Sequence, residues 1–435
     1  MLLKRLPLNY RELNQETLLQ KRSSLAAIIA WCLYDSAAAS FSIVVITFIF
    51  ATYFTKQIAE NPIIGTYQWA NAASLAGLIV ALTSPLFGAI ADHAGYHKRW
   101  LFFFTALCVI STALLWFAYP HQAVYFTLTC MVLGTIGFEI ALVFYNAFLP
   151  SLAPKNYLGR LSGWGWGCGY LGGILALSLV LVLFVKFNVF HLDTQAAEQV
   201  RIAGPFVAIW YAILALPLFF LVPDLPMAPV PLSQAIRLGW RELISTLKKL
   251  AHEKNIFLYL ISHMIYTDGL NTLFAFGGIY AAGTYGLSFA EVLLLGITMN
   301  ITAGLGAISL GWMDDYLGSK VTVIVSLISM IVLGVPILFL HSKYLFWVMA
   351  VLLCIFVGPV QSASRSLMVR LMADKETATE MFGLYALSGK ITAFIGPWLL
   401  GVMTLMFNSQ RVGMATVLVF FAIGAMLLWP VRERM

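Results

Sequence analysis

The chain has 435 residues, 61% of them hydrophobic and only 10% charged, and its mean hydropathy is +0.87. A soluble globular chain carries about a quarter charged residues, so this composition excludes a water-soluble enzyme and places the chain in a membrane. The net charge of +7, from 26 Lys and Arg against 19 Asp and Glu, is spread over short connections rather than gathered in a patch. That distribution excludes nucleic acid as a partner and fits an orientation signal in a lipid bilayer.

Residues 1–24 hold Lys4, Arg5, Arg11, Lys21 and Arg22 without a cleavage site after a short apolar core, which predicts a retained, amphipathic cytoplasmic segment. Apolar runs of the roughly 20 residues that cross a bilayer follow near 25–55, 67–91, 100–118, 122–147, 158–186 and 202–222. A break at 223–254 opens on Pro223, Pro226, Pro229 and Pro231, which stop a helix. Ile236, Trp240, Leu243, Leu247 and Leu250 then recur at steps of four and three, with Arg237, Arg241 and Lys248 on another face. This predicts an amphipathic linker helix on the cytoplasmic surface. Six more runs lie near 256–283, 288–312, 320–340, 344–370, 380–407 and 412–430. The expected fold is all-α, with twelve transmembrane helices in two six-helix bundles over 25–222 and 255–435. Eighteen cations then fall on one side of the membrane and five on the other, which predicts that both termini are cytoplasmic. The five cysteines, Cys32, Cys108, Cys130, Cys168 and Cys354, lie in apolar runs without paired spacing and read as small core residues.

The halves echo one another. Gly88 to Gly95 has the pattern G-x-x-x-D-x-x-G, and Gly311 to Gly318 repeats it 223 residues later. Gly159, Gly165 and Gly172 recur as Gly383, Gly389 and Gly396, each 224 residues on. Two matches at nearly one offset indicate parallel repeats, the architecture of the major facilitator superfamily. The string Gly167-Cys168-Gly169-Tyr170-Leu171-Gly172 also spells G-x-G-x-x-G, but it lies inside an apolar run with no strand before it, so helix packing explains it. His93 and His97 are four apart like a metal pair, yet they adjoin Lys98 and Arg99 and have no acidic cluster. They read as a surface loop, and the sequence predicts neither a metal nor a cofactor.

An ionised side chain at the centre of a membrane helix costs about 2.5 to 3.5 kcal/mol on insertion scales, so such groups face a wet cavity or one another. Asp35 and Asp268 lie near the midplane at related positions of the two halves, with Tyr34 beside the first and Tyr266 and Asn271 beside the second. Lys390 is similarly deep. These residues are candidates for solute or coupling-ion binding. Glu139 and Arg365 are nearly equivalent by the repeat offset and are candidates for a cross-half ion pair. Asp92 with Lys98 and Arg99, and Asp315 with Lys320, stand at helix ends where a carboxylate can latch one side. His263 is a proton-relay candidate, and Gly269 is a position where the seventh helix could loosen.

Several blocks together resemble one branch of the superfamily, the vacuole-effluxer-like group of bacterial permeases and fungal autophagy-related amino-acid effluxers. They are Tyr34 to Phe41, Ser84 to Asp92, Phe144 to Pro150, Tyr266 to Gly269, Ser364 to Ser366 and Tyr385 to Lys390. Between them they cover most of the chain from about residue 28 to 405. The resemblance implies solute export by alternating access in the inner membrane, with amino acids as the substrate class. It adds Asn146 to the candidates already named and strengthens Asp35, Asp268, Arg365 and Lys390. The first block departs from the family pattern, with Ser36 and Ala38 where Trp and Asn are expected.

The expectation is a monomeric secondary transporter, not an enzyme, that binds a small solute and a proton or other coupling ion. A broad-specificity drug or metabolite efflux pump is the alternative within transport, and a membrane receptor or an intramembrane enzyme the alternative outside it.

Overall fold

The structure is a computed structural model that describes residues 25–225, 230–250, 253–372 and 377–433. The predicted segment 1–24 lies outside the described residues. Backbone groups in a bilayer core have no water to bond, so an apolar chain satisfies them within helices. The first half contains α1 (Leu25–Ile58), α2 (Pro62–Ala94), α3 (His97–Leu114), α4 (Val124–Ala147), α5 (Leu158–Lys186) and α6 (Ala203–Leu221). The linker forms α7 (Leu232–Leu250). The second half contains α8 (Lys254–Tyr285), α9 (Phe289–Leu317), α10 (Ser319–Ile337), α11 (Lys343–Leu371), α12 (Ala378–Lys390), α13 (Ile395–Phe407) and α14 (Gln410–Leu428).

Among the described residues, eleven helical stretches are long and apolar enough to cross a membrane, with α12 and α13 counted together as one. The seventh predicted span is α8, a 32-residue helix whose Asn255, His263, Asp268 and Asn271 lower its hydropathy. Twelve membrane helices are consistent with this arrangement.

Three spans depart from plain α geometry, one of them α5, whose last residues Val180–Lys186 are π-helical. In α1 the segments Phe41–Phe48 and Phe54–Ile58 widen into π-helical turns, and Thr47 Oγ1 donates to the Ser42 carbonyl five residues back at 2.9 Å. The eleventh span is interrupted by turns at 391–394, between α12 and α13. Gly269 does not loosen α8, which runs unbroken past it. A Cβ there would stand 2.9 Å from Phe420 Cβ, so this glycine serves close packing on α14.

We call the end of the bundle that carries the α6–α8 connection the linker end. There the halves meet along two seams of small residues, α2 on α12 and α5 on α9. A Cβ on Gly88 would lie 2.5 Å from the Thr379 carbonyl oxygen, and one on Gly383 would lie 2.6 Å from the Ser84 carbonyl oxygen. On the other seam, a Cβ on Gly163 would lie 2.2 Å from the Ala307 carbonyl oxygen. Backbones approach this closely only where side chains are absent, and close approach supplies most of the attraction between helices in lipid. The linker helix α7 packs on α2 through Ala235 and Gly239, and a Cβ on Gly239 would meet the Ile90 backbone nitrogen at 2.8 Å. Ile236 and Trp240 point away from the protein.

Candidate functional site

The best-connected charge between the halves is Arg365 on α11, only 3% exposed. Its Nε donates to Ser162 Oγ at 2.9 Å and its Nη2 to the Ser162 carbonyl at 2.7 Å. Its Nη1 donates to Asp35 Oδ2 and to Asn146 Oδ1, each at 3.2 Å. The guanidinium carbon lies 4.7 Å from the Trp31 ring centroid and 5.8 Å from those of Tyr145 and Trp166. All these partners stand on α1, α4 and α5, so one residue of the second half is held by six of the first. Tyr145 Oη also donates to Asp35 Oδ2 at 3.2 Å. Above this centre the Tyr170 hydroxyl donates to Gln361 Oε1, again from α5 to α11.

Glu139 does not pair with Arg365, contrary to the repeat offset. It pairs with Lys390 at 2.7 Å, and Arg365 pairs with Asp35. The offset relates positions along the two halves but not the direction in which each side chain points. The expected Glu139–Arg365 pair is therefore not formed, and each of the two pairs across the halves with another residue.

Asp268 is 2% exposed and faces its own half. Its Oδ2 accepts from the Gly396 amide of α13 at 3.0 Å, its Oδ1 has no hydrogen-bond partner, and no ion pair reaches it among the described residues. Asp35 thus points across the interface and Asp268 does not.

Tyr34 and Tyr266 are also buried within their halves. Tyr34 Oη is 2.6 Å from Thr105 Oγ1 and accepts from Tyr211, and Tyr266 Oη is 2.6 Å from Ser364 Oγ. Neither lines a pocket between the halves. His263 meets Ser388 Oγ at 2.7 Å and stacks on Tyr385 at 4.1 Å rather than approaching Asp268. Asn271 is exposed.

At the linker end two carboxylates cap helices of the opposite half. Asp92, at the end of α2, accepts the Glu380 amide at the start of α12 at 2.8 Å. Asp315, at the end of α9, accepts the amides of Gly159 and Arg160 at the start of α5 at 2.7 and 3.1 Å and the Arg160 Nε at 2.6 Å. Unpaired amides at a helix start attract anions, so the repeated motif builds two related latches. Asp92 is braced by buried His97 at 3.1 Å, and His93 pairs with Glu242 of α7; neither histidine belongs to a free loop. Lys98 and Arg99 do not join the latch. Lys98 Nζ donates to the Phe219 carbonyl at 2.8 Å, and the Arg99 guanidinium lies over Tyr96 at 4.1 Å. Lys320 supplies its amide to Glu433 at 2.9 Å.

Sequence reasoning did not single out Trp31, Tyr145, Ser162 or Gln361, nor the buried cluster in which Arg370 meets Asp314 at 3.3 Å and Glu433 at 2.8 Å. Helical spacing could have found two of them, since Trp31 and Gln361 each precede a charged residue of the centre by four positions.

Two pseudo-equivalent helical halves joined by capped helix ends and a charged centre define a transporter of the major facilitator superfamily. Solved structures agree on the fold. The chain superimposes on the fucose transporter FucP in the outward conformation with a TM-score of 0.76 at 12% identity, covering 95% of this chain and 100% of that one. For the proton:xylose symporter XylE the values are 0.70 and 14%, over 94% and 95% of the two chains. Among relatives, the uncharacterized MFS-type transporter YxiO of Bacillus subtilis (strain 168) is 27% identical over 93% of this chain and 94% of its own length. Autophagy-related protein 22 of Kluyveromyces lactis is 21% identical over 76% and 71%. Residues 69–434 match the vacuole effluxer Atg22-like family, and the chain belongs to that family.

Proposed function

We propose that the protein exports a small solute, an amino acid or similar metabolite, across the inner membrane by alternating access, with both termini in the cytoplasm and the linker end facing the cytosol. In this arrangement the cytoplasmic side is latched and the solute site opens outward. One observation carries the reading. Away from the latched helix ends, the acids between the halves, Asp35 and Glu139, stand on the first half, and the bases, Arg365 and Lys390, stand on the second, whereas at the linker end Arg160 of the first half pairs with Asp315 of the second. When the halves part, each central charge loses its partner, at a larger cost for Arg365 and Asp35 than for the partly exposed Lys390 and Glu139. A solute that carries both signs offsets that loss on both walls. Asp268, without a counter-charge among the described residues, is the carboxyl that carries the coupling proton.

The test is flux in proteoliposomes across a panel of amino acids, with and without an imposed pH gradient. Asp35→Asn is expected to abolish transport, and Asp268→Asn to leave exchange while removing the response to the gradient. Wild-type gradient response in the Asp268 variant sinks the coupling assignment.

A second reading, broad-specificity efflux, is favoured by an open apolar cleft in the second half, with a cavity of about 50 Å³ lined by Leu273, Tyr280, Met299, Phe346 and Phe421 among others. Flux of hydrophobic dyes that amino acids do not compete for would select it.

A further inference from the structure

The groups that hold Arg365 are organised without it. Trp31 and Tyr145 stack at 4.5 Å with 11° between their planes. Each is tied to the other's backbone, Trp31 Nε1 donating to the Tyr145 carbonyl at 3.2 Å and Tyr145 Oη to the Trp31 carbonyl at 3.1 Å. Gly165 leaves the space the guanidinium fills, since a Cβ there would stand 2.7 Å from both Arg365 Nη2 and the Trp31 ring and 3.0 Å from Asp35 Oδ2. Without Arg365 the first half keeps a box with aromatic walls, edged by the Asp35 carboxylate, the Asn146 amide oxygen and the Ser162 hydroxyl and carbonyl. Acceptor oxygens at the edge and ring faces at the walls match a cation with several N–H donors.

We propose that this box is the receptor for a guanidinium or primary ammonium group of the solute, and that Arg365 is its built-in occupant while the linker side is latched. The inference rests on the alternating-access reading and adds which wall receives which end of the solute. Moving α11 away from α5 withdraws Arg365 and leaves Asp35 without a counter-ion. A cationic group entering from the solute restores one, so the solute competes with a side chain of the transporter itself.

The experiment removes the occupant. Purified Arg365→Ala protein is titrated with methylguanidinium chloride, methylammonium chloride, tetramethylammonium chloride and sodium chloride while its melting temperature is followed. Methylguanidinium is expected to raise the melting temperature saturably and methylammonium more weakly, tetramethylammonium and sodium not at all, and Arg365→Ala/Asp35→Asn to lose the effect. Should Arg365→Ala fail to fold, the same titration is run on Asp92→Asn/Asp315→Asn, which keeps Arg365 and weakens both latches, with Asp35→Asn added as its control. A shift that survives Asp35→Asn, equal shifts with tetramethylammonium, or no saturable shift overturns the proposal. Solute flux in wild-type proteoliposomes with no such shift refutes the receptor alone, and a shift in a protein that moves no solute refutes the transport reading alone.

Discussion

Glu139 and Lys390 form another ion pair across the halves, and its ends differ in environment, the lysine side chain being 33% exposed and the glutamate 19%. Water therefore screens part of the pair, and Glu139→Gln is expected to destabilise the latched state by on the order of 1–2 kcal/mol, less than a wholly buried pair would lose. A double-mutant cycle with Lys390→Gln measures the coupling, and additive single effects would show that the pair contributes nothing. At the opposite end of the molecule, the Lys343 ammonium and the Ser288 cap hold the Glu291 carboxyl at about 2. A depressed value means this pair's contribution is complete above the ordinary glutamate range and fades only as pH falls toward 2. Glu291→Gln should accordingly leave the pH profile of transport between pH 5 and 8 unchanged, while a moved profile in a flux assay would contradict the assignment.

At the scale of elements, the seams decide which way the halves rest. Overpacking a closely fitted contact typically costs 1–3 kcal/mol, and here the strain falls on the latched state alone. Gly383→Ala, whose new methyl would meet Pro85 Cα and the Ser84 carbonyl oxygen at 2.6 Å, is expected to shift the population toward an open linker side by about 5- to 150-fold. Labelling of a cysteine introduced on the linker-side face of α2 reads that shift, and unchanged labelling rules out the seam as a determinant. In the sequence, glycines at one offset mark the duplication, and the structure shows that Gly88, Gly159, Gly311 and Gly383 among them form the seams. The partners of Glu139 and Arg365 were not legible, because a repeat offset gives depth but not the rotation of each helix about its axis. Tyr34 illustrates the same gap. It adjoins Asp35 in sequence, yet about 100° of helical rotation sends it to Thr105 and Tyr211 inside the first half.

For the whole molecule, the two latches form one device. Asp92 of α2, which caps α12, and Asp315 of α9, which caps α5, are related by the repeat, so a rocking motion that opens the linker end breaks both. Asp92→Asn and Asp315→Asn should each raise the open population, and the pair together should exceed the product of the single effects. Distances between spin labels on the two halves measure it, and simple multiplicativity would mean that the latches open independently. Composition, span count and repeat symmetry carried most of this architecture into the sequence, since each follows from the need to satisfy a backbone in lipid. What they left out was partner choice, which depends on helix rotation and on the interruption of the eleventh span.

That interruption has its own effect on Lys390. Because α12 stops at this residue, the lysine stands in the last turn of a helix, the end that carries the equivalent of about half a unit of negative charge. A terminus normally found at a membrane surface has been brought into the interior. Its negative pole adds to the field of Glu139 in favouring an ammonium where bulk water is scarce.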